Sequence, residues 1–158
     1  MNKDRNNISL SVLEEKAKFI RTETVRLSRI AGAGHYSSTF SCAELLAALY
    51  YDQMAIEPAE PDWPDRDRFV MSKGHAAIGL YPVLADLGFF DPAELDTYTR
   101  LGSNYGDHPD MKKVKGLDFS SGSLGHGLSV GVGLALAARM SKRSYRSYVL
   151  LGDGELSE

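Results

Sequence analysis

Three features that would narrow the function are missing from this sequence. It holds a single cysteine, Cys42, so no disulfide can form within the chain. Its net charge of −3 gives none of the basic character of nucleic-acid-binding domains, and we expect no nucleic-acid partner. Its longest weakly polar stretch, residues 127–138, is rich in glycine and shorter than the roughly 18 apolar residues that span a bilayer. We therefore expect no membrane segment.

The start of the chain carries no targeting signal. Residues 1–7 are polar, and no apolar signal-peptide core follows them. Together with the lone cysteine, this predicts a cytoplasmic protein. Of the 158 residues, 43% are hydrophobic and 25% are charged, which is typical of a globular protein of ordinary size. We expect a single domain over residues 1–158.

Five segments have helical patterns. Apolar residues at three- and four-residue spacing predict an amphipathic helix from Leu10 to Ala31, with Ser11 and Glu14 as its capping box and Gly32 at its end. The other predicted helices begin at Ser41 with Glu44 three residues on, cover residues 76–87, run from Asp91 to about Gly102, and cover residues 128–140.

Two short apolar segments, residues 68–71 and 147–151, are the strand candidates. Each leads into a polar turn that contains glycine, at residues 72–75 and 152–154. Ligands bind at the carboxyl ends of strands in open α/β sheets. The alternation of helices and strands predicts an α/β fold: a doubly wound parallel sheet with helices on both faces, incomplete at the C-terminal end of the sequence.

All four histidines, His35, His75, His108 and His126, lie in or beside glycine-bearing turns. A single histidine is more often a hydrogen-bonded structural residue than a catalytic one, but these settings favour a function. Their spacing is unlike that of metal-binding histidines and Cys42 stands alone, which disfavours a zinc site.

The glycine-rich segment Gly122-Ser123-Leu124-Gly125-His126-Gly127 resembles a phosphate-binding loop. It lacks the Lys-Ser/Thr of a P-loop, and no acidic residue follows about 20 residues on, as a nicotinamide-cofactor fingerprint requires. Taken alone, it is as consistent with an ordinary turn as with ligand contact.

The turn Gly152-Asp153-Gly154 follows a strand candidate. A site for a metal and a diphosphate needs carboxylate oxygen and glycines that let backbone N–H groups approach phosphate. A simple turn after a strand explains the same residues equally well, so the pattern alone leaves both interpretations open.

Taken in order, these motifs resemble the amino-terminal half of transketolase. The resemblance rests on Gly34-His35, Ser72-Lys73-Gly74-His75-Ala76, His108-Pro109-Asp110, the segment from Gly122 to Gly127, Gly152-Asp153-Gly154, and residues 61–69. It covers nearly the whole chain from about Ser11. The sequence resembles most strongly those transketolases that are split into separate N- and C-terminal polypeptides. By the same resemblance, we expect this sequence to be truncated after the Gly-Asp-Gly turn.

The resemblance implies a thiamine diphosphate-dependent transferase. Such an enzyme moves a two-carbon ketol unit from a ketose phosphate to an aldose phosphate, and the cofactor serves as the electron sink. The resemblance also implies Mg²⁺ or Ca²⁺ as the metal and a C-terminal, pyrimidine-binding section or subunit as the partner. A homo- or hetero-oligomer is expected because the family's site lies between subunits.

Individual residues acquire roles through the same resemblance. Asp153 would ligate the metal that bridges the diphosphate, and Glu158 matches a family glutamate at the subunit interface. His35 and His108 would face the substrate's hydroxyls and assist proton movement. The implied catalytic residues are His35, His75 and His108, the implied cofactor-binding residues are His75, Gly122, Ser123, Leu124, Gly152, Asp153 and Gly154, and the implied metal ligand is Asp153.

Three positions depart from the family pattern. Tyr36-Ser37 replaces the usual Pro-Gly after His35, His126 replaces the commoner Gln, and Asp107 replaces the glycine before His108. The family's second metal-binding segment, which carries an Asn, follows the Gly-Asp-Gly turn and lies outside this sequence. So do the C-terminal glutamate that activates the aminopyrimidine and the arginines that bind sugar phosphate.

Two alternatives stand beside the split-transketolase hypothesis. One is a truncated, catalytically silent domain, since a parallel sheet that ended after Leu151 would expose an edge and apolar faces. The other is a different thiamine diphosphate enzyme, such as 1-deoxyxylulose-5-phosphate synthase or a keto-acid dehydrogenase component. The presence of both His75 and His108 resembles the transketolase pattern more than that of these other enzymes.

Overall fold

The computed structural model describes residues 8–158, which form α-helices, two β-strands and short 3-10 and π-helical turns. The α-helices are α1 (Leu10–Ala31), α2 (Tyr36–Phe40), α3 (Ala43–Ala48), α4 (Ala77–Asp86) and α5 (His126–Met140), and the strands are β1 (Arg68–Met71) and β2 (Ser147–Leu150). A π-helical turn, Leu49–Gln53, continues α3, and 3-10 helices cover Gly74–Ala76, Pro92–Thr97 and Gly154–Ser157.

The two strands pair in parallel. Arg68 lies opposite Ser147 and Met71 lies opposite Leu150, with α4 and α5 in the connection between the strands. Just past β1, the N–H of Ser72 donates to the carbonyl of Leu150 at 3.0 Å. Both strands therefore deliver their following turns to the same edge of the sheet, where ligands bind in α/β proteins.

Helices cover both faces of this sheet. Phe69 and Met71 pack into the core formed with α1, α3 and α4, and Tyr148 and Leu150 pack against that core from β2. Side chains alternate along a strand, so Val149 points to the other face. There α5 approaches so closely that a Cβ on Gly131 would lie 2.1 Å from Cγ2 of Val149. The predicted α/β fold with parallel strands and helices on both faces is confirmed.

Helix α1 confirms the longest predicted element but not its cap. Its buried residues, Ala17, Ile20, Thr24 and Leu27, follow the predicted spacing and face α3 and α4. The N-cap is Ser9, whose Oγ accepts a hydrogen bond from the N–H of Val12 at 3.4 Å. The predicted capping box of Ser11 and Glu14 was wrong because the helix already begins at Leu10 and encloses both residues.

The prediction that a helix begins at Ser41 was also wrong. The short helix α2 occupies the preceding residues, and Ser41 is its C-cap, with helical backbone angles of φ −68° and ψ −15°. Its hydroxyl donates back to the carbonyl of Ser38 at 2.9 Å. A serine in that conformation cannot serve as an N-cap. The next helix starts at Ala43, after Cys42.

The segment after Asp91 is helical, but it is a short 3-10 helix rather than the longer helix predicted up to Gly102. The Asp91 side chain caps it as expected, accepting from the N–H of Ala93 at 2.9 Å. The helix ends at Thr97 because Tyr98 leaves the helical region, with φ −46° and ψ 126°, and Thr99 takes a left-handed conformation with φ 58°. Residues 68–71 form a strand as predicted, and the second strand ends one residue early, at Leu150.

Helix α4 is buried from Ala77 to Ala85 and forms the centre of the core. Its apolar character all round reflects contacts with α1, α2, α3 and the Pro92–Thr97 helix. Between residues 8 and 158, none of the helices is both long enough and apolar enough to cross a membrane.

Candidate functional site

The turn that follows β1 is packed tightly between two other segments. A Cβ on Gly74 would lie 2.8 Å from Oγ of Ser121, and a Cβ on Gly127 would lie 2.2 Å from Oγ of Ser72. The hydroxyl of Ser121 also donates to the carbonyl of Met71 at 2.5 Å. The glycine-rich loop and the start of α5 are thereby held against the carboxyl end of the strand.

Three of the histidines come together at this edge. The rings of His35 and His75 have centroids 5.2 Å apart and meet edge to face. Oδ2 of Asp107 lies 3.6 Å from Nε2 of His35 and 3.8 Å from Nδ1 of His108. A Cβ on Gly122 would lie 3.7 Å from Cδ2 of His108. The structure thus places three predicted catalytic residues and one predicted cofactor-binding residue side by side.

Two buried tyrosines hold the His108 segment in place. The Tyr81 hydroxyl donates to the carbonyls of Gly106 at 2.9 Å and His108 at 3.0 Å. The Tyr98 hydroxyl donates to Oδ1 of Asp107 at 3.3 Å. Burial raises the pKa of both phenols well above the usual value, so both remain donors at neutral pH. The loop that carries His108 therefore has a fixed backbone.

The imidazole of His75 is biased towards its neutral form. Burial lowers its pKa below 6.5, and the nearby His35, Lys73 and His108 lower it further, although Glu155 acts in the opposite direction. A neutral imidazole offers one N–H donor and one acceptor nitrogen. His75 is therefore suited to hydrogen bonding at neutral pH.

Glu155 joins the two strand ends to the glycine-rich loop, a role that the sequence patterns did not predict. Its Oε1 accepts hydrogen bonds from the Ser72 hydroxyl and from the N–H of Gly125 at 3.0 Å, and its Oε2 accepts from the N–H of Gly152 at 2.9 Å. The side chain is buried. Burial acts to raise its pKa, but these donors and His75 hold the pKa below the ordinary 4.5. In the sequence, the indication of this role was the position of Glu155 two residues after Asp153, in an acidic turn that contains glycine.

The Gly152-Asp153-Gly154 turn leaves its central carboxylate open. Asp153 and Gly154 are exposed, and no atom of the described residues lies within 4 Å of the position of a Cβ on Gly154. Across residues 8–158, no hydrogen bond or ion pair engages the Asp153 side chain. The same residues contain no group of three His, Cys, Asp or Glu side chains able to hold a metal. Asp153 can therefore supply one ligand of a metal site but not a complete set.

The glycine-rich loop lies beside this turn. Gly122, Ser123 and Leu124 are exposed, so their backbone is accessible to a ligand. Gly125 has a left-handed φ of 82°, and a Cβ there would lie 2.9 Å from Cβ of Glu158. The loop and the Glu158 segment are thus in contact.

Lys73 is a second buried charge at the site that the sequence did not single out. Its Nζ donates to the carbonyl of Ser38 at 2.9 Å and to Oγ of Ser41 at 3.2 Å, which ties α2 to the end of β1. Its Cδ lies 3.8 Å from where a Cβ on Gly152 would be. In the sequence, the indication of its role was its place in the Ser72-Lys73-Gly74-His75-Ala76 motif that follows β1.

Comparison with known proteins gives a consistent result. Residues 13–158 match the family described as "Transketolase, thiamine diphosphate binding domain". The chain is 44% identical over 151 residues to an apulose-4-phosphate transketolase subunit of Phocaeicola vulgatus, covering 96% of this chain and 53% of the relative. It is 43% identical over 146 residues to "6-deoxy-6-sulfo-D-fructose transketolase subunit SqwG" of a Clostridium species, covering 92% and 53%.

Solved structures agree. The transketolase of Campylobacter jejuni superposes with a TM-score of 0.88 at 31% identity, over 96% of this chain and 25% of that protein. The chain thus spans about half the length of these subunit relatives and about a quarter of that full-length enzyme. On the match over residues 13–158 and the identity to both subunits, the chain belongs to the transketolase family, in its thiamine diphosphate-binding domain.

Proposed function

We propose that this chain is the diphosphate-binding subunit of a split transketolase, which moves a two-carbon ketol unit from a ketose phosphate to an aldose phosphate. The observation that carries the proposal is the convergence of His35, His75 and His108 at the sheet edge where both strands end and the Gly-Asp-Gly turn follows. That edge of the sheet is where an α/β protein binds a phosphorylated ligand. The sugar specificities named for the two subunit relatives, apulose-4-phosphate and 6-deoxy-6-sulfo-D-fructose, are candidates for this chain as well.

The residues present fit a diphosphate. Gly154 leaves its backbone uncovered, the Asp153 carboxylate has no partner among residues 8–158, and His75 is held neutral nearby. A hard cation such as Mg²⁺ or Ca²⁺ takes oxygen ligands, and Asp153 would supply one while phosphate oxygens supply others. Gly122, Ser123 and Leu124 would contact the organic part of the cofactor through their backbone, and Gly152 would shape the turn.

Thiamine diphosphate, when bound, supplies an electron sink for the two-carbon unit. The chain's own residues bind and orient the substrate. His35 and His108 are exposed, and one nitrogen of each lies within 4 Å of the same carboxylate oxygen of Asp107. Imidazoles in this arrangement can bind sugar hydroxyls and move protons on and off them. His75, pressed against His35, would donate to a phosphate oxygen of the cofactor.

A partner chain would complete the site. One face of α5 carries exposed apolar side chains at every fourth position, namely Leu128, Val132, Leu136 and Met140. Such a stripe of apolar surface favours an interface. It would be covered by a C-terminal, pyrimidine-binding subunit or by a second copy of the chain in a homo- or hetero-oligomer. The buried, unpaired Cys42 is consistent with a cytoplasmic enzyme.

The activity can be tested by mixing the full-length protein with a C-terminal, pyrimidine-binding transketolase subunit, thiamine diphosphate and Mg²⁺. We expect ketol transfer from a ketose phosphate to an aldose phosphate, measured as formation of the new ketose. Neither chain alone should turn over. A mixed complex that assembles and binds the cofactor but transfers no two-carbon unit from any ketose phosphate would contradict the proposal.

Binding can be tested separately by calorimetry on the same complex. Asp153→Asn should weaken Mg²⁺-dependent binding of thiamine diphosphate by about tenfold or more, because the amide is a neutral and weaker ligand for a hard cation. Asp62→Asn is the matched control, since Asp62 lies in the loop that precedes β1, away from the Gly-Asp-Gly turn. Equal affinity in the two variants would remove Asp153 from the metal site.

A further inference from the structure

The Asp107 carboxylate faces two of the site's imidazoles. A single oxygen, Oδ2, lies 3.6 Å from Nε2 of His35 and 3.8 Å from Nδ1 of His108. The second oxygen, Oδ1, accepts the hydrogen bond from Tyr98. The carboxylate therefore has one oxygen fixed by the core and one directed at the histidines.

The support for Asp107 is rigid. Tyr98 is fully buried and its ring packs edge to face on Tyr81 at 6.2 Å. Tyr81 in turn holds the carbonyls on both sides of Asp107, at Gly106 and His108. Backbone and side chain of Asp107 are thus anchored by the same pair of rings. The carboxylate is presented to the imidazoles in one orientation.

Fold stability alone does not account for this arrangement. The Asp107 side chain is 42% exposed, and the His35 and His108 side chains are 54% and 45% exposed. Ion pairs between groups this exposed add little to folding. A carboxylate within 4 Å of two solvent-facing imidazoles acts mainly on their orientation.

We infer that Asp107 is a positioning residue that orients the imidazoles of His35 and His108 towards the sugar hydroxyls that they bind. This inference rests on the proposed function, because it concerns the same substrate-facing histidines. The carboxylate acts through these two imidazoles and not on the cofactor or the reacting carbons. Its negative charge favours polyhydroxylated, uncharged portions of a substrate at this place over anionic ones.

Other charged or titratable groups lie around His35 and His108. His75 packs on His35 from the turn after β1, and Lys73 adds positive charge from the same turn. Glu155 adds a buried negative charge from the final turn. These groups remain in every Asp107 variant, so a difference between parent and variant reports the Asp107 carboxylate.

The first test needs neither cofactor nor partner. Proton NMR of the full-length chain compares the ring signals of His35 and His108, which are assigned by His35→Gln and His108→Gln. In Asp107→Asn the ring signals of both histidines, compared at one fixed pH, should move from their parent positions, because the rings lose the carboxylate oxygen that lies 3.6 and 3.8 Å from their nitrogens. Asp107→Glu should keep them near the parent. Asp96→Asn, which removes a surface carboxylate paired with Arg26, should leave them unchanged.

The second test uses the complex with the C-terminal subunit. Asp107→Asn should lower kcat by about two- to fivefold with little change in KM. Asp107→Glu should restore most of kcat, and Asp96→Asn should match the parent.

The outcomes separate the two proposals. Ring signals of His35 and His108 in Asp107→Asn that superimpose on those of the parent would overturn the role of Asp107 even if the complex transfers ketol units. A parent complex with no ketol transfer would overturn the proposed function, while displaced ring signals would still establish the contact of Asp107 with the two histidines.

Discussion

Gly127 lies directly against Ser72, so that a Cβ at position 127 would sit 2.2 Å from the Ser72 hydroxyl and 2.8 Å from its Cα. This contact fixes the start of α5 on the end of β1. Gly127→Ala must displace backbone, and we expect a loss of about 1–3 kcal/mol in the free energy of unfolding, measured by urea denaturation. Binding of thiamine diphosphate should weaken as well.

Gly133→Ala provides the control within the same helix. Within residues 8–158, nothing lies within 4 Å of a Cβ at position 133, and the residue is exposed. Alanine has the higher helix propensity, so this variant should gain up to about 1 kcal/mol. If both alanine variants were equally stable, the close packing of α5 on β1 would be contradicted.

The buried carboxylate of Glu155 should contribute stability that depends on pH. In Glu155→Gln one carboxylate oxygen becomes an NH₂ donor, so either Gly125 or Gly152 loses its acceptor, and we expect a loss of about 1–3 kcal/mol at pH 7. The pKa of Glu155 is held below 4.5, so its contribution is complete above that pH and disappears as the pH falls through the folded-state value.

Urea denaturation of parent and Glu155→Gln between pH 3 and pH 7 checks this. The difference in unfolding free energy should be constant above about pH 6 and should narrow below about pH 4.5. Glu44→Gln is the comparison, because Glu44 pairs with Arg21 on the surface and is 66% exposed. It should cost less than about 1 kcal/mol. If the difference in unfolding free energy between parent and Glu155→Gln grew as the pH fell, the lowered pKa of Glu155 would be contradicted.

Arg66 and Asp118 form a buried ion pair that attaches the chain segment around Asp118 to the start of β1. The guanidinium contacts both carboxylate oxygens at 2.6 and 3.2 Å, both side chains are 6% exposed, and Asp118 also accepts from the N–H of Phe69. Arg66→Met leaves a buried carboxylate without this bidentate cation, and we expect a loss of about 3 kcal/mol or more.

Thermal or urea unfolding can compare the stability loss in Arg66→Met with that in Lys113→Met. Lys113 pairs with Asp110 at 3.8 Å on the surface and is 56% exposed. Its replacement should change stability by less than about 0.5 kcal/mol. Similar losses of stability in both variants would show that burial does not increase the contribution of the Arg66–Asp118 pair.

The end of α5 offers a stabilising substitution. Arg143 N–H donates to the carbonyl of Ala138 and Lys142 N–H to that of Arg139, which is the hydrogen-bond pattern of a Schellman motif. Lys142 has φ 54°, where glycine is free of strain. Lys142→Gly should therefore raise the free energy of unfolding by about 1 kcal/mol. Lys142→Ala, which keeps a Cβ, should give no such gain, and equal values for the two would contradict the prediction.

Local patterns in the sequence predicted the main elements well. The apolar spacing of α1 and the strand at residues 68–71 depend on burial of one face, which a sequence records directly. Helix starts were less predictable. Ser9, Ser11 and Ser41 all suit an N-cap chemically, and only the backbone angles decide that Ser9 caps while Ser41 ends a helix.

The candidate site was predictable in its parts but not in its connections. The resemblance singled out His35, His75 and His108, yet no local pattern showed that Asp107 would lie between two of them. Glu155 was missed for the same reason, because its partners Ser72 and Gly125 lie in other segments of the chain. Contacts between distant segments depend on the complete fold and leave no periodic signal in the sequence.

The contacts of Glu155 also determine when this site can form during folding. Ser72 is 83 residues away along the chain and Gly125 is 30 residues away. Closing such loops has an entropic cost that only the assembled core offsets. The site and the sheet should therefore form in the same cooperative step. A ligand that binds there selects the fully folded chain and, at 100 times its Kd, adds about 2.7 kcal/mol to the stability of every part of it.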